Sequence, residues 1–470
     1  MNRQTLAVAL GTLALVVMGA ILLYATPSPE ATRVQRDPGR ISPVEEPSKE
    51  KAKTEKGPRH LRDARLVHAE EVPSDRVAPP AGALNVVVVI ESSQRRDQWS
   101  AYGGDPTITP FMAEKAKQGV RMMDGLTVAV SSRPADGAIV TGLYPHHAGV
   151  AEPEDKRNFR PIKETVDTVA ERFQGAGWLT VGATANHNLN AKAGGLQGFD
   201  WYRDAQPFAL KVEQKVPAGE IVEKVLGRLE ERSDAEKARP LYLQLDFADS
   251  HKPIRIPPEV SKPFEKTPES PAPYLATVNR QDQAVKALVE GLAKQGLTEE
   301  NTIFVVLADH GEGLEMPKFH RMQHGFVLDE SAVRVPWIFW GKGIPQGRDV
   351  TDLASTIDLA PTVLALAGLK GQEGFDGLDI SQAVLGKSDK TGRTIAYADT
   401  MYEGAHRASI WTSTRQCQND YGSSITEPAS FVKACYDRTA DPTFEKPIED
   451  AELATQLEAM HKELLEAASG

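Results

Sequence analysis

Residues Thr302–Gly341 read TIFVVLADHGEGLEMPKFHRMQHGFVLDESAVRVPWIFWG. The apolar run Ile303–Ala308 is rich in β-branched residues and too short for a helix, so it predicts a strand that is buried on both faces. Asp309 and His310 follow this strand directly. A carboxylate beside an imidazole suits a divalent metal ion, and Gly311 allows a sharp turn of the backbone. The alternative interpretation is that Asp309 caps a helix and His310 is a loop residue.

The composition limits the class of protein. The chain has 470 residues, of which 40% are hydrophobic and 25% are charged, which predicts one large α/β domain with appendages. The formal net charge of −11 argues against a general nucleic-acid-binding protein.

The N-terminal region predicts an extracytoplasmic protein. Gln4–Tyr24 carries no charge and has roughly the length of a membrane-spanning helix. We therefore predict that residues 1–25 are a retained membrane anchor, or else a long signal peptide. Residues 26–82 are rich in proline and charge, and predict a disordered linker. Cys417 and Cys435 predict a disulfide in an oxidising compartment, with two free thiols as the alternative.

Strands and helices alternate along residues 83–390, the predicted catalytic domain. Strands are predicted at Asn85–Glu91, Trp178–Ala183, Leu241–Phe247 and Thr302–Ala308, and helices near Pro110–Gln118, Glu164–Ala176, Ala218–Glu231, Tyr274–Gln295 and after Ala354. This alternation predicts an α/β fold with a mainly parallel sheet sandwiched by helices. Residues 391–470 predict a C-terminal subdomain with a small antiparallel sheet and a helix, formed by Thr394–Tyr397, Ala408–Thr414, Phe431–Tyr436 and Asp450–Ala467.

Several polar residues follow the predicted strands. Glu91, His251 and the Asp309-His310 pair come just after strands, which places them at one edge of a parallel sheet. Ser132 lies where an apolar segment gives way to a helix that Pro134 can begin. A hydroxyl there faces free backbone amides and suits an anion, although a simple N-cap serine is the alternative.

An ordered set of motifs carries a family resemblance. The pieces are NVVVVIE, YGGDPTITPFMAEKAKQGVRM, TGLYPHHAGV, DFADSHKPI, ADHGE, HGFVLDESAVRVPWI, DLAPTVLALAGL and CYDRTADP. In order and spacing, from Leu84 to Glu466, they resemble sulfatase-type members of the alkaline phosphatase superfamily. The resemblance implies an alkaline phosphatase-like fold.

The resemblance also implies a metal-dependent site. It assigns one divalent ion, which Ca, Mn, Zn or Mg could each supply, to Glu91, Ser132, Asp309 and His310. Ser132 occupies the nucleophile position, and a metal-bound hydroxyl ionises more easily than a free one. His251 and His324 match positions that contact the substrate or protonate its leaving oxygen.

The nucleophile motif departs from the family pattern. Sulfatases of this superfamily usually carry C-x-P-S-R, whose cysteine is converted to formylglycine. Here the segment runs from Ser132 to Asp136, SRPAD. The missing arginine is both a modification signal and a charge partner, so its loss argues against formylglycine at Ser132. Arg133 is the predicted substitute, because a guanidinium can grip sulfate or phosphate in a bidentate way.

The first strand ends in Glu91 and Ser92, where sulfatases commonly have aspartate. Glutamate here, a hydroxyl nucleophile and an Asp-His pair are similar to the phosphoethanolamine transferases and lipoteichoic acid synthases. Those relatives use threonine directly and bind one metal ion. The chain therefore resembles the sulfatases over most of its length and the transferases at its metal site.

Three functional hypotheses follow. The first is a membrane-anchored, extracytoplasmic hydrolase of anionic sulfate or phosphate esters in the cell envelope. The second is a phosphotransferase that moves a phosphate-linked group to an envelope lipid or glycan through a covalent Ser132 adduct. The third is a catalytically silent member that binds an anionic glycan or a protein, because a carboxylate at Asp136 would repel an anionic substrate. The sequence gives no indication of the oligomeric state.

Overall fold

The computed structural model of the protein describes residues 67–73, 75–151, 160–204, 216–251, 254, 256–265, 272–314, 324–369, 372–424 and 433–469. Asp63–Gly470 is a compact unit. The predicted anchor and most of the predicted linker lie outside the described residues. Within the described part of the chain, no helix combines the length and the apolar composition needed to cross a membrane.

The strands are numbered in chain order. They are β1 (Val67–Ala69), β2 (Asn85–Glu91), β3 (Val120–Leu126), β4 (Leu179–Thr184), β5 (Trp201–Asp204), β6 (Leu241–Phe247), β7 (Thr302–Ala308), β8 (Trp337–Gly341), β9 (Arg348–Ser355), β10 (Ala396–Thr400), β11 (Arg407–Trp411), β12 (Arg415–Asp420) and β13 (Ala434–Asp437).

The α-helices of the described residues are numbered in the same way. They are α1 (Pro110–Gln118), α2 (Ser132–Thr141), α3 (Pro145–Ala148), α4 (Val169–Gly175), α5 (Ala218–Glu230), α6 (Asp234–Lys237), α7 (Pro258–Ser261), α8 (Ala272–Lys294), α9 (Glu330–Val333), α10 (Leu359–Leu366), α11 (Ser381–Val384) and α12 (Ala451–Ser469). Short 3-10 turns lie at Arg96–Gln98, Ser100–Tyr102, His187–Leu189, Ala191–Ala193, Lys262–Phe264, Thr356–Asp358 and Tyr402–Gly404.

A mixed but mainly parallel sheet forms the centre of the fold, as predicted. Among the described residues its order is β1-β5-β4-β6-β2-β7-β8-β3-β9. The strands from β5 to β7 run parallel, whereas β8 runs antiparallel to both β7 and β3, and β1 antiparallel to β5. The carboxyl ends of β2, β4, β6 and β7 therefore meet at one edge, where ligands bind in sheets of this kind.

Helices cover both faces of the sheet, because its central strands are apolar on both sides. Val87 and Val89 of β2 pack into a core that includes residues of α1, α5 and α8. Val86, Val88 and Ile90 point the other way, into a core with residues of α2, α4 and α10. This is the continuous apolar pattern expected of a strand covered on both faces.

The C-terminal region contains a second sheet. Its order is β10-β11-β12-β13 in the part of the chain that the structure describes, and every pairing is antiparallel. The predicted disulfide is present, because Cys417 of β12 and Cys435 of β13 are register partners and are bonded to each other. The helix α12 follows, as predicted near Asp450–Ala467.

Two expectations were wrong in detail. The predicted disordered linker was extended to residue 82, but Val67–Ala69 forms β1 and pairs with Trp201–Arg203. The linker was predicted from its proline and charge content, and this composition does not reveal a short strand at the edge of a sheet. The C-terminal sheet was predicted from Ala408–Thr414 and its neighbours, and the polar strand Arg415–Asp420 was missed.

Candidate active site

The polar residues at the carboxyl edge of the sheet surround the first turn of α2. Glu91 is the last residue of β2, in register with Phe247 of β6 and Ala308 of β7. Asp309 and His310 follow β7, and both are fully buried. The sequence-predicted residues of the central strands therefore reach a common edge.

Ser132 is the first residue of α2 and is 3% exposed. The N-cap is Ser131, whose side chain makes no capping hydrogen bond, so the simple N-cap interpretation of Ser132 is wrong. Its Oγ lies 3.1 Å from Nε2 of His310 and 3.2 Å from Oγ of Ser92. The nucleophile candidate and the Asp-His motif are thus in direct contact.

The protonation of His310 follows from its surroundings. Its Nδ1 is 2.7 Å from the carbonyl oxygen of Gly311, and since a carbonyl only accepts, Nδ1 donates. Nε2 is therefore the acceptor that faces the Ser132 hydroxyl. Burial lowers the pKa of His310, although Asp309 acts in the opposite direction. A neutral imidazole with its lone pair toward Ser132 is the result.

The Asp309 carboxylate is held by hydrogen bonds from both sides. Its Oδ1 accepts from the backbone N–H of Ser93 at 2.8 Å and of His310 at 2.6 Å. Its Oδ2 accepts from the Ser92 hydroxyl at 3.1 Å and lies 3.4 Å from Nε2 of His310. Ser93 adopts the left-handed region, with φ 60°, which is uncommon for a residue with a Cβ.

The turn after Asp309 has no room for a side chain. The N–H of Gly311 donates to the carbonyl oxygen of Ala332 at 2.8 Å. A Cβ at this position would lie 1.8 Å from the carbonyl oxygen of Ser331. Glycine is therefore required here by the close approach of the segment that carries α9.

The donors at this edge suit a divalent cation in their chemistry. Ser132, Asp309 and His310 supply hydroxyl, carboxylate and imidazole atoms, and Glu91 adds an Oε1 that is buried without a hydrogen-bond partner. Burial raises the pKa of Glu91 well above its usual value, and Asp282 adds to this effect. A cation would remove this cost.

The predicted four-residue metal set is not gathered as a closed cage. Across the ranges that the structure describes, no three His, Cys, Asp or Glu side chains lie together in a way that could hold a metal ion. Asp309 and His310 are adjacent to the Ser132 hydroxyl. Glu91 is bonded to Asp309 through its backbone carbonyl oxygen, which accepts from the Asp309 N–H at 3.3 Å, whereas its side-chain Oε1 has no hydrogen-bond partner. Metal binding by this set remains a prediction.

Of the two predicted substrate histidines, His324 lies beside His310, and His251 lies beside His324. The ring centre of His324 is 4.5 Å from that of His310 and 5.0 Å from that of His251. Nδ1 of His324 lies 3.0 Å from Oε2 of the buried Glu312, which fixes the orientation of the ring. Sequence analysis missed this role of Glu312, although its position beside Asp309 and His310 was a usable signal.

Arg133 lies next to Ser132 in the first turn of α2 and is half-buried. This position is compatible with an anion contact, which stays a prediction.

A buried group of acids lies behind the nucleophile. Asp136, on α2, is fully buried, and its Oδ2 accepts from Nδ2 of Asn186 at 2.9 Å. Asp246, in β6, accepts from the Thr184 hydroxyl at 3.1 Å. Each of the two carboxylates has an Oδ1 that is buried without a partner. Burial raises the pKa of both, and the charge of Asp309 raises them further.

Sequence analysis treated Asp136 as a departure from a motif and as a charge that would repel an anionic substrate, and it did not single out Asp246. The signal for Asp246 was present, because a charged residue inside the apolar strand LYLQLDF is rare unless it is paired or functional.

Comparisons with known proteins agree with this fold. The model of the Sulfatase family matches residues 84–369. An ulvan-active sulfatase of Formosa agariphila is 25% identical over 397 residues, which cover 76% of this chain and 75% of that protein. A Delta 4,5-hexuronate-2-O-sulfatase of Bacteroides thetaiotaomicron is 25% identical over 345 residues, which cover 62% of this chain and 69% of that protein.

The fold is also found among solved structures. A phosphonate monoester hydrolase of Agrobacterium radiobacter superposes with a TM-score of 0.61 at 16% identity, and the match covers 82% of this chain and 95% of that one. The large parallel sheet with helices on both faces and a small C-terminal antiparallel sheet is the alkaline phosphatase-like architecture. The chain belongs to the sulfatase family.

Proposed function

We propose that this chain is a metal-dependent hydrolase of sulfate or phosphate esters that uses the Ser132 hydroxyl as its nucleophile. The observation that carries the proposal is the 3.1 Å contact between Ser132 Oγ and the lone pair of His310 Nε2, beside Asp309. A buried hydroxyl held against an imidazole at a helix N-terminus is the arrangement of an activated nucleophile.

The protein residues divide the chemistry between them. Ser132 Oγ attacks the sulfur or phosphorus atom and forms a covalent ester, and the bond to the leaving oxygen breaks. His251 and His324 supply the proton that this oxygen takes up, and Glu312 orients His324 through its Nδ1. Water then hydrolyses the serine ester. The backbone N–H of Ser132, at the start of α2, is assigned to the anionic group, because a helix offers no internal acceptor to its first N–H groups.

A divalent ion held by Glu91, Ser132, Asp309 and His310 would take the Nε2 lone pair of His310 that accepts the Ser132 proton in its absence. It would lower the pKa of the hydroxyl, so that this proton is lost to water, and neutralise charge on the transferred group. Arg133 is proposed as a further contact to that anionic group. By their names, one of these relatives is a sulfatase active on ulvan and the other is a Delta 4,5-hexuronate-2-O-sulfatase. These names favour a sulfated glycan as the substrate class.

The proposed location is the cell envelope, with the catalytic domain outside the cytoplasm and anchored by residues 1–25. The disulfide between Cys417 and Cys435 supports this location, because disulfides persist in oxidising compartments.

A phosphotransferase is the second candidate, and a specific observation favours it. Asp136 replaces the arginine of the usual sulfatase motif, and its fully buried carboxyl lies with Asp246 rather than with a cation. An unmodified Ser132 forms an ester that is stable enough to be passed to an acceptor hydroxyl. A labelled phosphodiester that releases its first product in a burst and leaves its label on Ser132 would identify this activity.

The hydrolase is tested with a panel of aryl sulfate, phosphate monoester, phosphodiester and phosphonate substrates. Ser132→Ala is expected to lower kcat/KM by about 10³-fold or more, since the nucleophile is lost. Ser131→Ala is the matched control, because its buried Oγ has no hydrogen-bond partner, and its kcat/KM should stay within about twofold of the parent. Full activity of Ser132→Ala would refute the nucleophile assignment.

The metal is tested on the same preparation by elemental analysis, chelation and reloading with Ca, Mn, Zn or Mg. Activity that survives chelation, with no bound divalent ion, contradicts the metal part of the proposal. A chain that turns over no substrate and binds a sulfated glycan instead would be a silent member of the family.

A further inference from the structure

Ser92 is a second hydroxyl at the nucleophile. It follows Glu91 at the end of β2 and is fully buried. Its Oγ lies 3.2 Å from Ser132 Oγ and 3.1 Å from Asp309 Oδ2. It therefore connects the nucleophile candidate to the carboxylate of the Asp-His pair, and none of the roles described above uses it.

The direction of the hydrogen bonds follows from the available protons. The Ser92 hydroxyl donates to Oδ2 of Asp309, whose Oδ1 already accepts two backbone N–H groups. The Ser92 oxygen is then left with lone pairs that face Ser132. The single proton of Ser132 has two acceptors within reach, Nε2 of His310 and Oγ of Ser92. These two contacts restrict the Ser132 hydroxyl from two sides.

The backbone around Ser92 is itself fixed. The N–H of Ser92 donates to the carbonyl oxygen of Phe247 at 2.9 Å, and its carbonyl oxygen accepts from the Ser250 hydroxyl. The next carbonyl, that of Ser93, accepts from the Tyr274 hydroxyl at 2.9 Å. The Ser92 hydroxyl therefore has a defined position relative to β6 and α8, and it can hold another group in place.

We propose that Ser92 is a positioning residue for the nucleophile, which fixes the side-chain orientation of Ser132 through the chain Ser132, Ser92, Asp309. This inference rests on the proposed function, since it assigns Ser132 the role of nucleophile. A hydroxyl that is free to take other rotamers attacks less often from the productive geometry, and a displacement of about 1 Å can cost about 10²-fold in rate.

The test compares Ser92→Ala with Ser131→Ala, which removes a buried serine hydroxyl that has no hydrogen-bond partner, from the residue before Ser132. Ser92→Ala is expected to lower kcat by about 10- to 100-fold with KM nearly unchanged, because orientation and not substrate binding is lost. Ser92→Thr restores a hydroxyl and should return kcat to within about threefold of the parent. If the added methyl of threonine lowers stability in a denaturation experiment, the two alanine variants carry the comparison.

A second measurement does not depend on turnover. A fluorophosphonate labels an oriented serine when Ser132 Oγ forms a bond to phosphorus and fluoride leaves with the proton as HF. Labelling should be absent in Ser132→Ala, about tenfold or more slower in Ser92→Ala, and unchanged in Ser131→Ala.

The two measurements separate the two proposals. A chain that is labelled at Ser132 with this dependence on Ser92, but that hydrolyses no ester of the panel, supports the positioning role and contradicts the hydrolase function. Equal labelling of Ser92→Ala and the parent, or no labelling of the parent, overturns the role of Ser92.

Discussion

Asp136 is the residue whose side chain conflicts most with its surroundings. The carboxyl is fully buried and keeps one oxygen without a partner. Burial raises its pKa, and Asp246 and Asp309 raise it further. Because the folded pKa lies above the unfolded value, the carboxyl favours the folded state at low pH. This contribution is lost as the pH rises from about 4 through the folded pKa.

Asp136→Asn should therefore stabilise the protein at pH 8. The substitution keeps an acceptor for Asn186 and removes the charge, so the free energy of unfolding should rise by on the order of 1–3 kcal/mol. Urea denaturation in the presence of a chelator measures this, since a bound cation would mask the effect. The increase in the free energy of unfolding of Asp136→Asn over the parent should become smaller as the pH approaches 4. The exposed Asp75→Asn is the control, and an equal response of both variants would contradict the prediction.

At the scale of elements, the helix α12 is attached to the C-terminal sheet through a buried histidine. His461 Nδ1 lies 2.7 Å from the Tyr397 hydroxyl of β10, and its Nε2 lies 3.2 Å from Nε2 of His406. Burial lowers the pKa of His461 to about 4. The groups that interact with it are Tyr397, Asp399, His406, His146, Glu458 and Tyr421.

The docking of α12 should weaken in acid. The folded pKa of His461 lies below the unfolded value, so its neutral form favours folding, and this contribution is lost as the pH falls from about 6.5 towards 4. Burial lowers the pKa of His146, but Asp399 raises it by more, so that the pKa lies above its usual value. The contribution of His146 to stability therefore grows as the pH falls, opposite to that of His461. A variant that lacks only His461 separates the contributions of His461 and His146 to the pH dependence of stability.

His461→Gln should flatten the loss of stability between pH 7 and pH 4.5 by about 1–3 kcal/mol. Denaturation curves at a series of pH values provide the measurement. His68→Gln, at a half-exposed histidine of β1, should leave the pH dependence of the parent in place. A profile of His461→Gln that follows the parent throughout would show that His461 is not responsible.

The elements that sequence analysis found and missed differ in a physical way. Asn85–Glu91 and Thr302–Ala308 were predicted at their exact bounds, because each has an unbroken apolar run between its terminal residues. Val120–Leu126 was missed, since its Asp124 breaks the apolar pattern. In the structure that carboxylate is buried by ion pairs with Arg334 and Arg438, partners that no local pattern identifies.

At the scale of the molecule, the disulfide joins β12 and β13 of the C-terminal antiparallel sheet. Cys417 and Cys435 are separated by 18 residues, and a bridge that closes a loop of about this length contributes about 3 kcal/mol. The double variant Cys417→Ala, Cys435→Ala should lose about 2–4 kcal/mol of unfolding free energy in chemical denaturation. A reductant should lower the denaturation midpoint of the parent and leave that of the double variant where it is. An unchanged parent midpoint would falsify this prediction.

The candidate site was predictable where it depends on the topology of the whole sheet. Asp309 and His310 follow a central strand, so their position at the carboxyl edge follows from the parallel order, whereas the family resemblance assigned Ser132 to the same site. The contacts of Ser92 and the pairing of Asp136 with Asn186 depend on register and side-chain direction. Those quantities are set by the packing of distant segments, and one sequence does not determine them.

The close approach at Gly311 has a consequence for substrate traffic. The Asp309-His310 turn is bonded to the backbone of Ala332, and the carbonyl of Ser331 fills the space beside it. The turn from Asp309 to Gly311 cannot move away from α9 during a catalytic cycle without breaking the hydrogen bond between Gly311 and Ala332. We therefore expect substrate and product to pass His251 and His324, which are half-buried.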